Sequence, residues 1–266
     1  MDPFEYRGRW AVVTGASSGI GEAFARALAT RGMNLVLAAR RTALLGALGD
    51  ALEKAHGVRV AAVGVDLADP TGPERLFREA TAGREIHLLV NNAGFGLDGR
   101  FEDLPLERQL ELLRVNVSAV VELTGLFLPA MQERRAGGIV QVSSSVAFQP
   151  VPGLATYAAS KAFVLSFAEA LWAENEDLGV RVLALCPGGS PTGFQDVAGT
   201  GLPLVGVLPA SEIAEAALRG LDRGCTVVVP GLVNKGAPLG ARLLPRRAVV
   251  RAAKLFMERM KRRDAQ

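Results

Sequence analysis

Seven short runs of β-branched and apolar residues recur along the chain, each separated from the next by a longer segment, several with apolar positions at helical spacing. The runs are WAVVT (10–14), NLVLAA (34–39), VRVAAVGVD (58–66), HLLVNN (87–92), GGIVQVSS (137–144), VRVLALCP (180–187) and CTVVVP (225–230). This alternation limits the fold more than any other feature. Strands joined through helix-length connections run parallel, because a parallel return needs a crossover of a dozen or more residues. Runs that are apolar almost throughout, rather than alternating with polar residues, are covered on both faces. Right-handed crossovers then produce an α/β fold, a doubly wound seven-stranded parallel sheet with helices on both sides. Clear helix candidates are GIGEAFARALATRG (19–32), the stretch 106–135 and ATYAASKAFVLSFAEALWAEN (155–175).

The chain has 266 residues, 49% of them hydrophobic, enough for one large core. We assign residues 1–230 to a single domain. Beyond Pro230, Gly231, Gly236, Pro238, Gly240 and Pro245 break up a basic, amphipathic extension at 231–266. From Val233 onward ten Lys and Arg face only Glu258 and Asp264; this segment carries +8 of a net +3, leaving about −5 on the residues before it. The basicity belongs to the tail, which argues against a nucleic-acid-binding body. MDPFEYRGRW has no apolar core of a secretory signal, and no run of about 18 uncharged apolar residues stands out, so a cytoplasmic protein is expected. Cys186 and Cys225 lie far apart in apolar stretches and fit reduced thiols; His56 closes a helix and His87 opens a strand, and none of the four forms a metal pattern.

The first run passes directly into TGASSGIG and then a helix. Strand, glycine turn and helix form the context in which backbone N–H groups and a helix dipole receive a dinucleotide pyrophosphate, so Gly15, Ser17, Ser18, Gly19, Ile20 and Gly21 are candidate cofactor contacts. About twenty residues on, where an acidic side chain would bind a ribose 2′-hydroxyl, stand Arg40 and Arg41. A guanidinium there suits a 2′-phosphate, hence NADP(H), and Arg40, which directly follows the strand, is the better candidate. Asp66 ends the third run and Leu67 follows it, both candidate cofactor contacts; the Asp66 carboxylate could accept from an adenine amino group or cap a helix. NNAG supplies Asn92, Ala93 and Gly94, small enough for a cofactor to pass the backbone closely.

TGASSGIG, NNAG, the VNV around Asn116, VSSS (142–145), YAASK (157–161) and CPG (186–188) occur in the order and at the spacings of the short-chain dehydrogenase/reductase family, which the chain resembles over roughly residues 8–230. The resemblance implies a Rossmann-like fold with strand order 3-2-1-4-5-6-7, an NADP(H)-dependent oxidoreductase, and a catalytic set of Asn116, Ser144, Tyr157 and Lys161. In that reading Tyr157 is the general acid/base, with Lys161 one helical turn later lowering its pKa and holding the nicotinamide ribose. Ser144 donates to the substrate oxygen, Ser143 and Ser145 being its neighbours and rivals, and Asn116 links the lysine to solvent through a water. Pro187, Gly188 and Thr192 would hold the nicotinamide end.

Phe95, Phe101, Phe148, Gln149, Val151 and Phe194 are expected to line an apolar substrate site together with a lid at about 190–210, which suits a small hydrophobic ketone, aldehyde or alcohol. The resemblance also implies a homodimer or homotetramer formed through the fourth and fifth helices. In the tail, Val249, Ala253, Phe256 and Met260 fall on one helical face opposite Arg247, Arg251, Lys254 and Lys261; such a helix could lie on an anionic membrane or pack on protein. Two other functions remain open on these grounds: a non-catalytic NADP-binding sensor, and a peripheral membrane protein working through its tail.

Overall fold

The computed structural model describes residues 4–189, 207–231 and 245–263. Its strands are β1 (Trp10–Thr14), β2 (Asn34–Ala39), β3 (Val60–Gly64), β4 (Ile86–Asn91), β5 (Gly137–Val142), β6 (Val180–Leu185) and β7 (Val227–Val228). They form one parallel sheet in the order β3-β2-β1-β4-β5-β6-β7, the expected Rossmann-like topology. Successive residues of a strand point to opposite faces, so Ala11 and Val13 join one core while Val12 joins the other; Leu35 and Leu37 are divided from Val36 and Ala38 in the same way.

Helices α1 (Gly19–Thr30), α2 (Thr42–His56) and α7 (Ala210–Asp222) cover the first face, and α3 (Gly72–Thr81), α5 (Ala119–Glu133) and α6 (Ala155–Asn175) the second. Arg31 clamps α1 to Glu215 of α7 through two bonds of 2.7 and 2.8 Å. Tyr6 is bound into the first core, its hydroxyl donating to Asp222 at 2.7 Å. His87 accepts or donates only within its own turn, at Glu85, and burial lowers its pKa.

The stretch expected as one helix at 106–135 is α4 (Leu106–Leu113) and α5 joined by a single wide π-helical turn, Arg114–Ser118, in which Asn116 is fully buried. Such turns displace one residue from the regular register and recur at functional sites. Contrary to expectation, the rod Leu106–Glu133 is long and apolar enough, by length and composition, to cross a membrane. Much of that apolarity is used in packing: Leu123, Phe127 and Met131 are buried in the second core, at about 1.5–3 kcal/mol each. Inside the same layer Thr124 Oγ1 accepts from Gln141 Nε2 (2.9 Å) and Asn91 Nδ2 (3.3 Å) and donates to the Val120 carbonyl (2.7 Å).

The tail forms α8 (Arg246–Arg263), which packs on the domain through Val249 and Met257. Of the apolar face expected at Val249, Ala253, Phe256 and Met260, Phe256 is half exposed. A spacing of four, Val249–Ala253–Met257, turns inward and leaves Phe256 on the flank; the side chain of Met260 lies outside the described residues.

Candidate active site

The C-terminal ends of β1 and β4, adjacent in the sheet although three strands apart in sequence, mark the point where a doubly wound sheet binds its ligand. Thr14, the last residue of β1, ties them together. Its hydroxyl donates to the Val90 carbonyl (3.2 Å) and accepts from Asn92 N (2.9 Å) and Ala93 N (3.0 Å), while Asn92 Nδ2 donates to the Thr14 carbonyl (2.9 Å). The glycine turn is folded against this joint. A Cβ on Gly21 would strike the Gly15 carbonyl and come 2.6 Å from Asn92 Nδ2, and one on Gly15 would lie 2.9 Å from the same nitrogen. Ser18, the N-cap of α1, makes no side-chain cap bond to the helix. A turn stripped of side chains in front of a helix N-terminus fits a pyrophosphate.

Of the two arginines, Arg41 is the one laid over this turn, donating to Ser18 Oγ (2.6 Å) and to Ser17 Oγ (2.9 and 3.2 Å). Arg40, favoured from the sequence, is 63% exposed and reaches only within 3.9 Å of Glu111. Asp66 Oδ1 accepts from Ala68 N (2.9 Å), closing a local turn rather than capping α3, and Asp69 supplies the turn before that helix by accepting from Thr71 N and Oγ1. Leu67 packs on the second core.

Helix α6 carries Tyr157 and, one turn later, Lys161, whose Nζ lies 5.9 Å from the centre of the phenol ring. The three serines at the end of β5 divide their tasks. Ser143 Oγ donates to the Lys161 carbonyl (2.7 Å) and so locks β5 to α6; Ser145 N donates to the Pro187 carbonyl (2.8 Å). Ser144 opens the short 3-10 turn Ser145–Phe148, accepts from Val146 N (3.3 Å), and is hydrogen-bonded to Tyr157. Asn116 grips the chain after NNAG by accepting from Phe95 N (3.1 Å) and donating to the Phe95 carbonyl (3.0 Å) and to Ser160 Oγ (3.1 Å). Gly94 is confined there: a Cβ would sit 2.9 Å from Asn116 Oδ1 and 3.4 Å from Lys161 Nζ.

Burial governs the electrostatics. It pushes the Tyr157 phenol up to about 12, the Ser144 bond acting in the opposite direction, and pulls the Lys161 ammonium down to about 8. Lys161 Nζ is turned to the Val142 carbonyl, to which it donates at 2.8 Å, and burial is the largest influence on the Tyr157 phenol.

Tyr157 shares an apolar cluster with Phe95, Leu112, Val151, Leu154, Ala158 and Met257. Phe148, expected in this wall, packs instead on the second core because the 3-10 turn ends at it and directs its ring toward the sheet; Gln149 is half-buried and Phe101 is 59% exposed. Thr192, Phe194 and the expected lid lie outside the described residues, whereas Pro187 is buried and Gly188 half-buried beside the serines.

The short chain dehydrogenase family matches residues 9–201. The chain belongs to this family. It is 39% identical over 183 residues to human 17-beta-hydroxysteroid dehydrogenase type 3, covering 68% of this chain and 58% of the relative, and 34% identical over 188 residues to human inactive hydroxysteroid dehydrogenase-like protein 1, covering 70% and 57%. It thus spans less than three-fifths of the length of these curated relatives. A solved short-chain dehydrogenase from Sphingobium yanoikuyae in complex with NADPH superposes with a TM-score of 0.81 at 34% identity, over 88% of this chain and 93% of that one.

Within this short-chain dehydrogenase the sequence reading passed over Thr14 and Ser160, which hold the cofactor loop and Asn116, and Leu112, Leu154 and Met257, which surround the tyrosine. Thr14 had a signal, as the hydroxyl residue at the exit of β1. Met257 had none, lying a hundred residues from Tyr157.

Proposed function

We propose that this protein is an NADP(H)-dependent oxidoreductase that interconverts a ketone or aldehyde and the corresponding alcohol on an apolar substrate. The observation carrying this reading is the buried Ser144–Tyr157 hydrogen bond beside the Lys161 ammonium, inside an apolar cluster at the C-terminal ends of the strands. NADPH, when bound, supplies the hydride that adds to the carbonyl carbon. The carbonyl oxygen takes the phenolic proton of Tyr157 while Ser144 donates a hydrogen bond to it and stabilises the developing negative charge. Lys161 favours the phenolate left behind, and Asn116 holds the Phe95 backbone and Ser160 so that α6 and the chain after β4 keep their spacing.

Gly15, Gly19, Ile20 and Gly21 would receive the pyrophosphate, Arg41 with Ser17 and Ser18 the 2′-phosphate, assisted by Arg40, and Asp66 and Leu67 the adenine. Asn92, Ala93, Gly94, Pro187, Gly188 and Thr192 would line the nicotinamide end. The apolar side chains of Phe95, Leu112, Val151, Leu154 and Met257 packed around Tyr157 support a bulky apolar carbonyl over a polar sugar. Leu106, Leu110 and Leu113 give α4 an exposed apolar face that supports self-association as a dimer or tetramer.

The test is NADPH oxidation over carbonyl compounds graded by size and polarity. Turnover confined to small polar sugars overturns the substrate assignment. Tyr157→Phe should lower kcat by about 10²–10⁴ while leaving NADPH binding intact. A non-catalytic NADP-binding role, brought into view by the relative described as inactive, would instead leave the cellular role of the Tyr157→Phe protein unchanged.

A further inference from the structure

Helix α8 carries two apolar stripes. Val249, Ala253 and Met257 turn inward, and Met257 enters the cluster that surrounds Tyr157, so the tail walls the cleft where the proton is held. Beside it Ala248, Ala252 and Leu255, spaced at four and three, form a second stripe that faces away from the domain, with Phe256 on the flank between the two; Leu255 is 56% and Phe256 48% exposed. Arg251 borders this outer stripe and Arg259 falls within it, and Glu258, the sole acid of the helix, is partnered by Lys254 at 3.8 Å.

We propose that this outer stripe docks on an anionic lipid bilayer, so that the helix closing the substrate cleft is also the part of the molecule that meets the membrane. Charge selects this occupant over a second copy of the chain. Two such helices face to face would oppose Arg251 and Arg259 to their own kind, whereas an anionic surface complements them. The +8 tail and the −5 of the preceding residues also fix the orientation, since only the tail is attracted and the remainder is repelled. Leu255 and Phe256 then enter the headgroup region while the arginines stay at its phosphates. The consequence for apolar substrates, delivery from the bilayer to the cleft beneath Met257, rests on the proposed function; the docking itself does not.

Full-length protein is floated with phosphatidylcholine vesicles prepared with and without phosphatidylglycerol, with NADPH binding and light-scattering mass measured on the same samples. Flotation is expected with phosphatidylglycerol only, falling as salt rises. Arg251→Gln with Arg259→Gln should weaken it about fivefold per cation, about 25-fold for the pair. Leu255→Ser with Phe256→Ser should abolish it, with NADPH binding retained because both side chains are exposed. Absence of flotation with phosphatidylglycerol, or flotation equal to wild type in both double variants, overturns the proposal, as does loss of a dimer in the Leu255→Ser/Phe256→Ser protein without loss of flotation. Protein that floats but turns over no carbonyl compound leaves the docking standing and defeats the enzymatic reading alone.

Discussion

Replacing Lys161 by Met should make the protein less dependent on pH, and the amount follows from the burial of the ammonium. In the unfolded chain a lysine titrates at 10.5; in the fold, burial brings Lys161 to about 8. Below pH 8 it is charged in both states, so the difference between the two proteins is constant there. Between pH 8 and 10.5 the unfolded chain holds the proton and the folded one does not, so wild-type stability rises with pH through this window. At about pH 10 the folded lysine lies two pH units above its pKa, and at about 1.4 kcal/mol for each, reduced slightly by titration of the unfolded chain, the gain over pH 7 is roughly 2–3 kcal/mol. Other groups titrate too, but they are common to both proteins, so the quantity to read is the difference in unfolding free energy between wild type and Lys161→Met, from urea melts at about pH 7 and 10. That difference should move by roughly 2–3 kcal/mol in favour of wild type. Parallel curves would refute the claim that the ammonium is held out of water beside the tyrosine, and the electrostatic account of Tyr157 would fall with it.

The same ionisation should appear in catalysis as a fall of carbonyl-reducing kcat/KM as pH rises through about 8 in the free enzyme; a profile flat to pH 10 would show that the Lys161 charge is not used. Arg41→Ala removes charge-assisted bonds at the end of the glycine turn and should raise the Kd for NADPH about tenfold to a hundredfold with little change for NADH, read by nucleotide fluorescence, and Arg40→Ala should do less; equal losses for the two nucleotides would contradict the 2′-phosphate assignment. Thr124→Val leaves the Asn91 and Gln141 amides without their shared oxygen, a cost of about 3 kcal/mol, and should lower the melting temperature by roughly 6–12 °C; an unchanged Tm would mean that those amides find other partners.

The strands were legible because a buried parallel strand has to be apolar along its whole length, which few other elements require. Their ends were less so. β3 was expected from Val58 but begins at Val60, since Arg59 N donates to the Asn34 side chain (2.8 Å) instead of a neighbouring strand. The order of the motifs was enough to gather Asn116, Ser144, Tyr157 and Lys161 in sequence, but not to show what each touches. That Asn116 sits in a π turn depends on how α4 and α5 meet the chain after β4, and no local pattern in RVNVS encodes it. The choice between Arg40 and Arg41 turned on one residue of helical phase at the start of α2, and the placement of Met257 over Phe256 on one residue of phase in α8. Periodicity fixes that a face exists; only the opposing surface decides which residue occupies its centre.

The two shifts at the site have one origin and opposite chemical results. Taking a phenol out of water disfavours its anion, and taking an ammonium out of water disfavours its cation, so the burial that closes the cluster around Tyr157 moves the tyrosine up to about 12 and the lysine down to about 8. At neutral pH the pair therefore rests as a protonated phenol beside an ammonium that still holds its charge. This is the form that donates a proton, the one carbonyl reduction requires. In the proposed reaction, oxidation of an alcohol would need the phenolate, which burial disfavours and the Ser144 hydrogen bond favours. In the proposed reaction Tyr157 would therefore act as an acid that burial keeps protonated, and the Lys161 charge would matter most at the moment the proton leaves, when an anion forms in a cluster lined by Phe95, Leu112, Val151 and Met257.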